Sequence, residues 1–325
     1  MARPGAVARV QPMNRRDFLI RSGAAASISL LTPDSLFAQT APAATPVAPP
    51  APVTEFKALR QNVGVFTGGG GTIGWLSNKE ALCAIDTQFP NTAAVFLKDL
   101  PGRNARPLDV VVNTPHHGDH TGGNAVFRPA TKSIVAHANV PDLMRARAEA
   151  DKKPLDPAMV PDATFPETWK MSLGDEVASA RYLGAAHTKG DIVVHLEKAN
   201  VVHLGDLLFN PLYPVIDRPG GASIRHWVVV LETIHRDYPA DAIYVAGHGN
   251  GKFGITLKRD ELLVFRDYLS GLLAYTEKGI KAGKSKEELQ KIDNLDGFAD
   301  FHVPPGRGNR LPGNIGTAFD ELSAG

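Results

Sequence analysis

The sequence predicts an α/β fold in which sheets are packed between helices, and three observations carry that expectation. Short apolar runs of strand length alternate with segments of helical period. The run "LDVVVNT" is continuously apolar over the length of a buried strand. The alternation divides into two βα-rich halves with no internal repeat of fixed period, which suits sheets sandwiched between helices rather than a solenoid.

Taken in order, "NVGVFTGGGGTIGWLS" and "EALCAIDTQF" read as two strands with a Gly-rich turn between them, since β-branched and aromatic runs are bounded by Gly and Asn. "NTAAVFLKDL" has a helical period, "LDVVVNT" and "KSIVAH" are strands, and "VPDLMRARAEA" is a helix. Four prolines make "PLDPAMVPDATFPE" mostly loop. Strands follow in "EVASARYLGAA", "DIVVHLE" and "ANVVHLGDLLF", then a helix in "SIRHWVVVLETIHRDY" and a strand in "AIYVAGHG". The C-terminal part, from about residue 257 to 325, is helical: a long helix through "LKRDELLVFRDYLSGLLAYTEKGIKAG", then "SKEELQKI", opened by a capping box of Ser285 and Glu288. The Leu residues of the long helix recur at helical spacing and read as core.

Length and charge narrow the functional classes. A chain of 325 residues holds one large α/β core. Its net charge of +1 gives no nucleic-acid footprint and no polybasic membrane patch. The single cysteine, Cys83, lies in the apolar run "EALCAID", which excludes an intramolecular disulfide and a Cys-rich zinc knuckle and reads as a buried thiol. At the N-terminus, "MNRRDFLIRSGAAASISLL" joins Arg15 and Arg16 to an apolar run about half the roughly 20 residues of a spanning helix. It reads as a cleavable export signal over residues 1–38, and its order resembles the twin-arginine type, which implies the twin-arginine export machinery as a partner and a periplasmic or secreted location without a stable membrane anchor. Residues 39–54 form a Pro/Ala linker, and the folded body spans 55–325.

The chemistry concentrates in "NTPHHGDHTGGN", where His116, His117, Asp119 and His120 fall within five positions. They follow the strand-like "LDVVVNT", at the carboxyl end where α/β proteins gather functional groups. The residues after them look like a helix start, whose N–H groups favour an anion. "TPHHGDHTGG" resembles the H-x-H-x-D-H motif of the metallo-β-lactamase superfamily, and "AAHTKGD", "VVHLGDLLF" and "VAGHGNG" follow in that superfamily's order, over most of residues 60 to 250. The resemblance implies a four-layer αββα sandwich with a helical C-terminal extension. It implies His117 and His187 as ligands of a first metal position, Asp119, His120 and His248 as ligands of a second, and Asp206 as the carboxylate bridging both. These donors suit one or two Zn²⁺ ions, and iron or manganese would tolerate them.

One position departs from the pattern: Pro115, which has no donor, stands where a third histidine of the first position is expected. Three readings stay open. The second position is complete and the first weak or empty; or His116 is turned in as a substitute, against the geometry that points neighbouring side chains to opposite sides; or the fold persists as a binding protein without activity. Asp86 and Asp191 each read either as a carboxylate orienting a ligand histidine or as a turn cap. His137, His195, His203, His226, His235 and His302 lie outside the motif and read as structural. The loop "NPLYPVIDRPGGAS", with Tyr213 and Ser223, reads as a pocket wall.

The implied activity is hydrolysis of an amide, ester or thioester in a small molecule by hydroxide that zinc supplies at neutral pH, with Asp119, His117 and His187 handling the proton. A β-lactam fits the expected export, and a thioesterase similar to glyoxalase II fits the motif "TPHHGDH", which differs from T-H-H-H-x-D-H by the proline alone.

Overall fold

A computed structural model describes residues 52–301 and 308–324. The expected signal, nearly all of the expected linker, and His302 lie outside the described residues. The first sheet has seven strands in sequence order: β1 (Glu55–Arg60), β2 (Val63–Thr67), β3 (Ile73–Ser77), β4 (Leu82–Ile85), β5 (Val110–Asn113), β6 (Ile134–His137) and β7 (Ala163–Phe165). Its first four strands form an antiparallel meander, and β4 to β7 run parallel. Parallel neighbours require crossover connections. These are α1 (Pro90–Asp99), the short helices α2 (Gly118–Thr121) and α3 (Asn124–Phe127), and α4 (Val140–Ala150). Proline opens α1 and α4 at the first helical turn, where its missing N–H costs nothing.

The second sheet is built from β8 (Thr168–Leu173), β9 (Glu176–Tyr182), β10 (Ile192–Leu196), β11 (Val201–His203), β13 (Ile243–Val245) and β15 (Thr256–Leu257). A two-stranded ribbon pairs β12 (Phe209–Asn210) with β14 (His248–Gly249). Four helices follow or interrupt these strands: α5 (Ile224–Asp237), α6 (Leu262–Lys281), α7 (Lys286–Leu289) and α8 (Leu311–Ser323). Ser223 caps α5 by accepting from the His226 N–H, and the Ser285/Glu288 capping box opens α7.

Period-two alternation decides the layers. In β5, Val110 and Val112 pack between the two sheets, against Ile192 and Val194 of β10, while Val111 faces the opposite way into a core with Phe96 of α1 and Phe127 of α3. On β10, Val193 points away from the first sheet, into a core with Trp227 of α5, Phe265 and Leu269 of α6 and Ile315 of α8. Helices therefore cover both outer faces, giving the four-layer αββα sandwich, with α6 to α8 as its helical C-terminal extension. Full burial of each such Val, Leu, Ile or Phe stabilises by about 1.5–3 kcal/mol. Cys83 lies in the inter-sheet core, where burial pushes its thiol up to about 12.

Two local expectations change. "NVGVFTGGGGTIGWLS" forms two strands by itself, β2 and β3, on either side of the glycines, so with β4 the two segments give three strands rather than two. The Pro-rich segment contains β7, a three-residue edge strand held to β6. Strands β1 and β8, at sheet edges, escape a reading keyed to apolar runs, because exposed polar residues interrupt their burial.

Candidate metal centre

The site lies at the carboxyl ends of β4, β5, β11 and β13. Directly after β4, Asp86 adopts φ of +67°, a left-handed conformation uncommon outside glycine, and its carboxylate turns beneath the loop that follows β5. Its Oδ1 accepts from the Thr114 N–H at 2.7 Å, and its Oδ2 accepts from Thr114 Oγ1 at 2.6 Å and meets His120 Nδ1 at 2.7 Å. With Nδ1 donating to the carboxylate, the Nε2 of His120 is left to face the site. The Gly-rich bend covers this loop from above: the Gly71 N–H donates to the Asp119 carbonyl at 3.0 Å, and a Cβ at Gly71 would collide with the His120 ring. That close approach is the reason for glycine there.

Two groups of donors converge on Asp206, which sits in the 3-10 turn Gly205–Leu207 after β11. On one side, His120 Nε2 and His248 Nε2 lie 3.0 and 3.3 Å from Asp206 Oδ1, and 3.4 Å from each other. Asp119 Oδ2 completes this group, 3.2 Å from His248 Nε2 and 4.0 Å from His120 Nε2. On the other side, His187 Nε2 lies 3.5 Å from Asp206 Oδ2, and the ring of His117 meets that of His187 edge-on with centroids 4.6 Å apart. The six sequence-derived ligand positions, His117, Asp119, His120, His187, Asp206 and His248, are thus brought together, with one Asp206 oxygen toward each group.

Contact is close here, but hydrogen bonding is poor. Among the described residues, His187 Nε2 and Asp206 Oδ1 are buried without a hydrogen-bond partner, even though nitrogens and carboxylate oxygens lie nearby. Leaving a buried polar atom unmatched costs about 1–3 kcal/mol. Imidazole nitrogens and carboxylate oxygens crowded within ligand distance of one another, two of these atoms unmatched, are the donor set a divalent cation takes, so these residues fit a metal ion.

Electrostatics agree with the geometry. Burial alone would drive protons off His120, but Asp206, Asp86 and Asp119 hold its pKa well above the usual imidazole range. His187 is raised too, with burial outweighed by Asp191 and Asp206. Burial favours protonation of Asp206, yet His120, His248 and His187 hold it well below the usual carboxylate range. Asp119 is likewise depressed, with burial offset by His120 and His248.

The family model of the Metallo-beta-lactamase superfamily matches residues 67–296. The chain belongs to that superfamily. It is 28% identical over 211 residues to a hydroxyacylglutathione hydrolase of Cereibacter sphaeroides, covering 60% of this chain and 74% of that protein. It is 25% identical over 134 residues to the metallo-beta-lactamase type 2 of Bacteroides fragilis, covering 41% of this chain and half (50%) of that protein. The structure of a metallo-beta-lactamase from Pontibacter korlensis superposes with a TM-score of 0.56 at 21% identity, over 67% of this chain and 99% of that one, a likeness of fold.

Within this superfamily member, each remaining expectation has a location. Asp191 meets His187 Nδ1 at 3.0 Å, so both Asp86 and Asp191 stand behind histidines of the cluster rather than only capping turns. His116 is turned in by the loop, its ring 4.4 Å from that of His117, but it does not join the groups around Asp206; its Nε2 lies 3.5 Å from Asp217 Oδ2. Burial, with His117 beside it, pushes His116 down to about 3, so it is a neutral imidazole. The helix start after the motif, α3, is a single turn of four residues, too short to supply the expected anion-favouring dipole. His137, His203 and His226 bond to the carbonyls of Pro166, Thr72 and Ala185, and His235 to Asp260 on the surface. His195 packs against the Tyr238 ring.

A pocket of about 450 Å³ opens over Asp119, Asp206 and His248, with apolar walls from Phe89, Phe209, Leu212 and Val215, and with Arg310 at its edge. A larger depression of about 620 Å³ near Ser77, Glu80 and Arg106 touches none of the cluster and has no matching chemistry. The loop after β12 does wall the pocket, through Leu212 and Val215. Tyr213 is buried in the helical core instead, and Ser223 is a cap. Reading the sequence missed Asp217 in the same loop, whose Oδ2 lies 2.8 Å from His117 Nε2. Burial would raise its pKa, but the bonds from His117 and the Gly220 N–H bring it down to about 2.

Proposed function

We propose that this protein is a zinc-dependent hydrolase of amide, ester or thioester bonds in small molecules, working in the periplasm after twin-arginine export. The observation that carries the reading is the disposition of Asp206: its two oxygens face separate donor groups beneath one pocket. Membership of a superfamily of metallo-hydrolases supports it at the level of reaction type. The relatives named as hydroxyacylglutathione hydrolases favour a thioester, and that named as a metallo-beta-lactamase favours a β-lactam. The open, apolar-walled pocket accepts either. A binding protein without activity is disfavoured by buried, unmatched donor atoms maintained at a stability cost.

The residues have distinct tasks. His120, His248, Asp119 and Asp206 would hold one Zn²⁺; His117, His187 and Asp206 would hold a second, more weakly, because Pro115 contributes nothing. When bound, zinc supplies a Lewis acid and brings the pKa of a water to about 7. Asp119 and Asp206 both line the pocket, but the Asp119 side chain is 31% exposed against 3% for Asp206, so Asp119 takes the proton of the attacking water. Where only the first of these ions is present, His117 and His187 share that task. Phe89, Leu212 and Val215 bind the apolar part of the substrate and exclude water from it.

The test is metal content on protein purified without chelator, followed by a panel of thioesters and β-lactams. One tightly held zinc, with a second filling at higher concentration, and turnover abolished by chelator and restored by zinc is the expected result. Protein that binds no metal and hydrolyses nothing overturns the proposal.

A further inference from the structure

Three imidazoles at the centre are each backed by a carboxylate. His120 Nδ1 meets Asp86 at 2.7 Å, His187 Nδ1 meets Asp191 at 3.0 Å, and His117 Nε2 meets Asp217 at 2.8 Å. In the third pair the carboxylate takes the ε nitrogen rather than the δ nitrogen. We infer that Asp217 is a positioning residue: by accepting the Nε2–H of His117 it fixes the tautomer that presents Nδ1 toward His187 and Asp206, which preserves the weaker ion position despite Pro115. The inference rests on the metal centre proposed above.

The loop is built to hold that carboxylate in place. Its Oδ1 accepts from the Gly220 N–H at 3.0 Å, leaving Oδ2 for His117. The Asp217 N–H donates to the His187 carbonyl at 3.3 Å, and the Lys189 N–H to the Gly220 carbonyl at 2.9 Å, so the loop is tied to the segment that carries His187. A Cβ at Gly220 would collide with Asp217 Oδ2, so glycine leaves the space the carboxylate occupies.

A second role for Asp217 competes, because His116, His117 and Asp217 also form a group that could grip an ion. The unmatched atoms decide between them. An ion held by His116, His117 and Asp217 would leave the buried His187 Nε2 unmatched, whereas an ion among His117, His187 and Asp206 satisfies it, on the Oδ2 side of Asp206. Asp217 therefore acts through His117 rather than as a ligand. With one imidazole missing from that position, the two that remain must be well oriented and basic. An outer carboxylate supplies both, and its removal costs about 10–100-fold in metal affinity.

The experiment uses the full chain and zinc as the only ligand. In metal-free protein, long-range ¹H–¹⁵N correlation spectra of the histidines should show His117 protonated at Nε2. Asp217→Ala should lose that preference and weaken the second zinc by about 10–100-fold while the tight zinc stays unchanged, which also shows that the variant is folded. Asp217→Asn, whose amide oxygen still accepts, should keep the tautomer and lie between the two. If His117 keeps its Nε2 proton in Asp217→Ala, or if the second zinc binds as tightly as before, the inference fails. It also fails if His116→Ala loses an ion in the same way as Asp217→Ala, because Asp217 would then be a ligand. Wild-type protein that binds no zinc would instead defeat the metal-centre proposal itself.

Discussion

His120 stands between two carboxylates: its Nδ1 lies 2.7 Å from Asp86 Oδ2 and its Nε2 lies 3.0 Å from Asp206 Oδ1, with the ring fully buried. The same Asp86 carboxylate accepts from both the N–H and the hydroxyl of Thr114, so it ties the end of β5 to the histidine that follows. Asp86→Ala should therefore act on the fold and the site at once. Removing one partner of a buried, hydrogen-bonded charge pair costs about 3–5 kcal/mol, and loss of the orienting carboxylate weakens metal binding by about 10–100-fold. Urea unfolding and zinc titration measure the two effects. A variant as stable as the parent would show that Asp86 is not a structural tie.

Asp119 presents the opposite case. Its side chain is 31% exposed on the pocket side, and among the described residues its carboxylate holds no backbone N–H. Asp119→Asn should lower kcat by about 100-fold or more, the scale of a lost proton-transfer group, while its thermal midpoint stays close to that of the parent. Turnover equal to the parent's would remove Asp119 from the proton-transfer role.

How much of this was legible in the chain depends on the kind of signal. The ligand positions could be read because "TPHHGDH" and the segments with His187, Asp206 and His248 resemble the superfamily's motifs in its order, at or beyond the ends of strand-like segments such as "VVVNT" and "VVH". The sandwich could be read because Val110, Val111 and Val112 must divide between two cores. Asp217 could not: it lies in a Pro/Gly loop, 100 residues from the histidine it serves, and only the folded chain brings Oδ2 to Nε2. Its single available clue was the "DRPGG" turn, where a carboxylate precedes the glycine that cradles it. The edge strands β1 and β8 were hidden for a different reason: each pairs locally, with β2 and β9, but exposed polar residues leave no apolar run to find.

Metal binding should be coupled to proton release. The pKa values of His120 and His187 are held above that of a free imidazole by surrounding carboxylates, despite burial. A raised value means that the metal-free protein still carries protons on these rings at a pH where a free histidine, at about 6.5, has mostly lost them. A cation can bind only the deprotonated nitrogen, so binding must expel the proton. Zinc titrations by calorimetry near neutral pH, in buffers of different ionisation enthalpy, should report net proton release, and the release should shrink as pH rises through the shifted values. Zero release at neutral pH would mean that the rings are already neutral and that the carboxylates do not hold them protonated.

Restoring histidine at Pro115 tests whether the first position is weak for want of one donor or for want of the right backbone. Position 115 is buried, between Thr114, which Asp86 anchors through two bonds, and His116, whose carbonyl accepts from Thr121 Oγ1. These bonds hold the loop independently of the pyrrolidine ring, so Pro115→His should keep the fold at a cost of about 0.4–1 kcal/mol from a freer unfolded chain. If the backbone is already set for a donor, the weaker zinc should tighten and metal content on purified protein should rise toward two ions per chain, with Asp217→Ala now weakening that ion less because the set no longer depends on two imidazoles. An unchanged metal content in a folded variant would place the defect in the loop backbone that the Asp86–Thr114 bonds hold, not in the missing donor.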